Sequence, residues 1–232
     1  MGFFETGQDI RNILGKHAGI FLGGSHAWKS KGRDLDILIV LERAPSKEEW
    51  GRFMDFAKTL SGRTEWGMHG PPDVFGEVAS VFVTTVKDMQ KACFSDAWTA
   101  RLVLLGLKPH PENKKEMNAL AEDAQELAWK KFLKWVIARS GASSIEEIKR
   151  IAESDIIGSR SFSAGARWSA KKREDKVFRR HVVAKIQDGV MALVQEKEIA
   201  IEAAHIKANF KDAPPIFRNN ISSSLKSADL FG

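Results

Sequence analysis

The sequence predicts a unit of strands and helices followed by a helical unit, and three observations carry that reading. Apolar runs of strand length at 18–22, 34–41 and 78–83 are interleaved with helix-length segments. From about Pro111 onward the apolar spacing is helical throughout. Between the two patterns, Lys108-Pro109-His110-Pro111 supplies the punctuation expected at a boundary. The expected division is therefore 1–110 and 111–232, an α/β unit with a helical one appended.

Residues 7–17 read as a short helix leading into the apolar strand 18–22. Gly23-Gly24-Ser25 breaks that strand, and 25–31 reads as a turn of helix before a bend at Gly32-Arg33. The segment 34–41 is apolar on both alternating faces after its two aspartates, as suits a strand covered on both sides. Ser46 with Glu49 three residues later is a capping box, opening a helix to about Leu60. Gly70-Pro71-Pro72 marks a loop, 78–83 a third strand ending near Thr85, and 95–106 a helix.

In the second half, Met117, Leu120, Ala124, Leu127, Ala128, Phe132, Trp135 and Val136 follow one helical stripe. Ser144 and Glu147 make a second capping box before Ile148, Ile151 and Ala152. A long basic helix is expected over 171–209, with Phe178, Val182, Ile186, Val190 and Leu193 on one face and Pro214-Pro215 ending it. The tail beyond is expected to be loose.

With 43% hydrophobic residues in 232, the chain can bury a real core, which excludes disorder as the default. No apolar run reaches 18 residues, so no membrane partner is expected, and MGFFETGQDI lacks a secretory layout. Cys93 is the single cysteine, which rules out an internal disulfide and leaves a cysteine zinc site unsupported. The six histidines show no ligand spacing. A reducing, cytoplasmic setting is the expectation. The net charge of +6 is concentrated late in the chain. Residues 1–110 hold 14 Lys/Arg against 13 Asp/Glu, whereas 158–185 alone holds nine against two. Such a local field attracts phosphates.

The chemistry centres on Asp34 and Asp36. Alternate residues of a strand project to one face, so the two carboxylates would stand roughly 6–7 Å apart at the backbone. Like charges at that spacing repel. A divalent ion reverses the balance, because Mg²⁺ takes one or two carboxylates together with water and phosphate oxygens. Upstream, Gly23-Gly24-Ser25 follows a strand and opens a helix, where glycine permits close backbone approach and free N–H groups favour phosphate. Ser25 adds a hydroxyl, and Lys29, Lys31 and Arg33 in the connector would neutralise a triphosphate. The plainer alternative makes Gly23-Gly24 a turn, Asp34 a cap and Asp36 the start of a strand.

The run Gly23-Gly24-Ser25, eight residues, then Asp34-Leu35-Asp36-Ile37 resembles the signature of the DNA-polymerase-beta-like nucleotidyltransferase superfamily. The resemblance covers about 18–41 and extends weakly to 107. It implies an α+β chain: a small mixed-sheet nucleotidyltransferase-type domain followed by an all-helical domain. It further implies Mg²⁺ or Mn²⁺, a nucleoside triphosphate, and transfer of a nucleoside monophosphate to a hydroxyl. On this likeness Gly24 and Ser25 hold phosphate, and Asp34 and Asp36 hold the ions.

The family usually adds a third carboxylate from a neighbouring strand. The matching positions here, about Ala79 or Ser80, carry none; Glu77, on the face of Ala79, is the expected third catalytic and metal-binding acid, with Asp73 in reserve. Arg167, Lys171, Lys172, Arg173, Lys176, Arg179 and Arg180 form the expected nucleic-acid surface, and RNA is the expected acceptor. A solvated basic face is the alternative for those residues. Two other functional readings stand beside the RNA-modifying enzyme: a catalytically weakened, nucleic-acid-binding or structural component, and a small-molecule nucleotidyltransferase of the antibiotic-modifying type.

Overall fold

The computed structural model describes residues 3–27, 35–61, 79–158, 176–202, 205–210 and 213–216. The chain opens with α1 (Phe3–Leu14), β1 (Ala18–Leu22) and a short 3₁₀ turn (Gly24–Ala27), then β2 (Leu35–Leu41), α2 (Lys47–Ser61) and β3 (Ala79–Thr85). Two helices, α3 (Val86–Lys91) and α4 (Ala97–Leu105), precede β4 (Lys108–Pro109). Then come α5 (Lys115–Ser140), α6 (Ile145–Gly158), α7 (Lys176–Gln195), β5 (Ile199–Glu202) and β6 (His205–Ala208). The result is an α+β protein with a mixed sheet, in which no described helix is long and apolar enough to cross a membrane.

The four-stranded sheet runs β3-β2-β1-β4, with β2 antiparallel to β1 and parallel to β3. Strand alternation divides β2 between two cores. Ile37, Ile39 and Leu41 join Ile20, Leu22, Val81 and Val83 against α1 and α2. Leu38 and Val40 join Phe21 and Phe82 against α3, α4 and α5, in a cluster that continues into α6 and α7. Both faces are thus covered, which explains why β2 reads as continuously apolar after its acids.

Local signals explain several boundaries. At the start of α2, Glu49 N–H donates to Ser46 Oγ at 3.1 Å and Ser46 N–H donates to Glu49 Oε2 at 2.6 Å, the reciprocal capping box. The second expected box is shifted by one residue. Glu147 N–H donates to Ser144 Oγ at 3.2 Å, but the Glu147 carboxylate accepts from Ser143 N–H at 2.8 Å. In α5 the expected stripe holds, with Met117, Ala124, Ala128, Phe132 and Val136 buried and Leu120, Leu127 and Trp135 packed at its margins.

Four expectations are corrected. First, α1 lies at Phe3–Leu14 rather than 7–17, because Gly15, at φ +77°, ends it with a bond from its N–H to Arg11 O. Second, α3 stands where no helix was expected; Thr85 caps it by accepting from Asp88 N–H at 3.1 Å.

Third, the basic helix stops at Gln195, well before 209 and before Pro214-Pro215. Lys197 turns left-handed at φ +59°, with Lys197 N–H bonded to Val194 O and Glu198 N–H to Leu193 O. This Schellman closure satisfies the last carbonyls without a glycine. Fourth, the C-terminal half is not all-helical. Ile199–Glu202 and His205–Ala208 pair as an antiparallel hairpin, and Ile199 is buried in the same core as α5 and α7.

Around the expected boundary, Lys108–Pro109 adds the fourth strand to β1. Asn113 extends that edge: its side chain donates to Ile20 O at 2.8 Å and accepts from Ile20 N–H at 3.0 Å. An exposed strand edge is thereby occupied by a side-chain amide.

Candidate active site

The antiparallel pairing of β1 and β2 brings the end of the first strand beside the start of the second. Leu22 registers with Ile37, and one step further Gly23 N–H donates to Asp36 O at 2.7 Å. Gly24 follows at φ +60°, in the left-handed region. A Cβ built on Gly24 would overlap Asp36 Oδ2 and stand 2.8 Å from its Cγ. The Asp36 carboxylate therefore lies directly against the backbone of the glycine-serine turn, in space that any side chain at 24 would occupy.

Asp36 shares its face of β2 with Leu38 and Val40, the face covered by α4. Helix α4 begins at Asp96, whose Oδ1 accepts from Trp98 N–H at 2.8 Å and Thr99 N–H at 2.9 Å. From α4, Leu102 abuts Gly23, its Cδ2 lying 3.0 Å from where a Cβ would sit. The preceding residue, Arg101, is 2% exposed. Its Nη2 donates to Ile156 O at 2.7 Å in the last turn of α6, and its guanidinium lies 5.9 Å from the Trp98 ring centroid. Burial pushes the Arg101 pKa well below its usual value, while the nearby Asp36 charge raises it. Arg101 is thus a buried side chain whose charge and that of Asp36 act on one another. Sequence reasoning passed over Arg101, although a lone charge within Ala100-Arg101-Leu102-Val103-Leu104-Leu105 was a readable signal.

In the parallel β2–β3 register, Asp36 stands opposite Ser80 and Leu35 opposite Ala79. The β3 start therefore gathers at the same end of the sheet as Asp36 and the Gly24 turn, and the position beside Asp36 carries a serine. Gly24 and Asp36 are brought together, and Ser25 lies within the same 3₁₀ turn. Asp34, Glu77, Lys29 and Arg33 lie outside the described residues, as do Arg167, Lys171, Lys172 and Arg173.

On α7, Lys176, Arg179 and Arg180 are exposed. Arg179 pairs through Nε with Glu153 of α6, so part of its charge is already answered within the protein. Further along, His181 Nε2 donates to Leu105 O at 2.8 Å, closing the C-terminus of α4 together with Gln125 Nε2 and Trp129 Nε1, which both donate to Leu104 O. Val182, Ile186, Val190 and Leu193 are buried as the stripe predicts.

Among the described residues no group of three His, Cys, Asp or Glu side chains is placed to hold a metal ion. The donor chemistry of the described part is one carboxylate, Asp36, against the buried backbone of Gly24. That set fits Mg²⁺, a hard ion that fills its shell largely with water and phosphate oxygens. No family model and no curated protein matches the chain.

Proposed function

We propose that the chain is a Mg²⁺-dependent nucleotidyltransferase, moving a nucleoside monophosphate from a triphosphate to a hydroxyl acceptor on RNA. The observation that carries this reading is the contact between the Asp36 carboxylate and the left-handed Gly24 of the glycine-serine turn. It sets an anionic oxygen donor against a turn suited to phosphate, two halves of one site that are 12 residues apart in sequence.

In this mechanism Gly24 and the turn it opens hold the triphosphate through backbone N–H groups, with the Ser25 hydroxyl as a further donor. Asp36, with Asp34 as its expected partner, would hold the ion, and Glu77 is the expected third acid. The bound ion supplies charge neutralisation for the attacking hydroxyl and the departing pyrophosphate. Lys29 and Arg33 would neutralise the triphosphate. The basic residues Arg167 through Arg180 would track the acceptor backbone, where exposed Lys176 and Arg180 are compatible with that use.

The test is incubation of purified protein with labelled triphosphates, Mg²⁺ and bulk RNA. Labelled RNA from wild type, lost in folded Asp36→Ala, supports the proposal. Equal labelling by both rejects it. One observation favours a second reading: Ser80, rather than a carboxylate, registers with Asp36. A weakened site on a nucleic-acid-binding protein would give RNA binding that survives both EDTA and Asp36→Ala, with no turnover.

A further inference from the structure

Helix α7 has two faces that differ in kind. Val182, Ile186, Val190 and Leu193 are buried and seat it in the core it shares with α5 and α6. The opposite face is exposed along the helix, at Val177, Arg180, Ala184, Asp188, Met191 and Gln195. Four large hydrophobic side chains stand exposed among the described residues. Two of them, Val177 at 54% and Met191 at 53%, lie on this line. Single exposed hydrophobics are ordinary, but 177, 184 and 191 are spaced by seven, the period at which a helix repeats one seam.

The seam is arranged about its middle. Arg180 and Asp188 flank Ala184 at four residues on either side, and Val177 and Met191 flank it at seven. Arg180 and Asp188 are about 12 Å apart along the helix, beyond the reach of the three- and four-residue pairs that helices form. Among the described residues neither makes an ion pair, unlike Arg179, which is held by Glu153. A two-fold axis at Ala184 sets Arg180 level with Asp188 of a second copy, and Val177 level with its Met191, each contact occurring twice. The small side chain at the crossing lets two helices approach closely. A parallel pair would instead set Arg180 beside Arg180, like charge against like.

We propose that α7 is a homodimer surface: two copies of the chain pair antiparallel along the Val177, Ala184 and Met191 seam, with register fixed by Arg180 and Asp188. A single helix pair sits near the lower limit of specific interfaces, roughly 1,000 Å² in total, so the dimer forms and dissociates with concentration. Arg180 also belongs to the acceptor surface proposed above. It is open to RNA in the monomer and engaged by Asp188 of the second copy in the dimer. The dimer does not depend on that reading of function.

The experiment is sedimentation velocity on the full chain, treated with ribonuclease, from about 1 to 100 μM. Wild type should pass from monomer toward dimer across that range. Asp188→Arg and Arg180→Asp each set like charges level with one another twice, and each should weaken association about tenfold or more with circular dichroism unchanged. An equimolar mixture of the two variants should regain the dimer, because each then supplies the charge that the other lacks. Ala184→Glu, which sets acid against acid at the crossing, carries the test if a charge variant does not fold.

A wild type that stays monomeric throughout, or whose dimer disappears once RNA is digested, would overturn the proposal. So would folded single variants that associate as wild type does, or a mixture of them that remains monomeric.

Discussion

Asp36 Oδ2 occupies the space that a Cβ on Gly24 would need, so the two residues form a contact that tolerates no side chain at position 24. This joins a backbone requirement to a chemical one. The left-handed φ of +60° disfavours other residues, and the carboxylate excludes them.

Substitution at the two adjacent glycines should therefore separate. Gly24→Ala should cost about 1–2 kcal/mol from its backbone alone, with more from displacing Asp36. Gly23→Ala meets the terminal methyl of Leu102 at 3.0 Å, a flexible neighbour, and should cost less. Denaturant unfolding should rank them in that order, and Gly24→Ala should also lose Mn²⁺ binding. Equal losses from both would argue against the contact.

His181 links pH to stability. Burial lowers its pKa below the usual 6.5, outweighing the bond to Leu105 O that raises it. The unfolded chain therefore binds more protons than the folded one just below 6.5, and stability falls as pH drops through that value. Between about pH 7 and 5, wild type should lose more unfolding free energy than His181→Gln. Parallel pH profiles would contradict the assignment.

Glu49 works in a lower window. Its bond from Arg43, followed by that from the Ser46 backbone, depresses its pKa from 4.5 to about 2. The folded carboxylate resists protonation, so its contribution is present above 4.5 and is lost as pH falls toward 2. The melting-temperature gap between wild type and Glu49→Gln should close across that range. A gap that stays constant would show that the capping box gains nothing from the charge.

The α7 surface makes a salt-dependent prediction. Lys176 and Arg180 are exposed, whereas Arg179 is engaged by Glu153. Replacing the first two with alanine should reduce the slope of log affinity for single-stranded RNA against log salt by about 1.4. Arg179→Ala should change that slope less. Unchanged slopes would remove these residues from the acceptor surface.

Much of this was legible because it is local. The apolar runs found β1, β2 and β3, and Ser46-x-x-Glu49 announced α2 through groups three residues apart. What escaped depends on partners distant in sequence. Lys108–Pro109 becomes a strand only because β1 offers an edge, and the hairpin at 199–208 follows a helix end formed by Lys197 without glycine or proline. The meeting of Gly24 and Asp36 followed from a short connector between two strands. The burial of Arg101 needed α6, whose Ile156 carbonyl accepts from it across 55 residues.

The most direct measurement is diffraction from a crystal soaked with Mn²⁺ and a non-hydrolysable triphosphate. The account predicts an anomalous peak bonded to Asp36, with the triphosphate seated on the Gly24 turn. An Asp36 carboxylate left bare of metal, with the triphosphate absent or bound elsewhere, would contradict it.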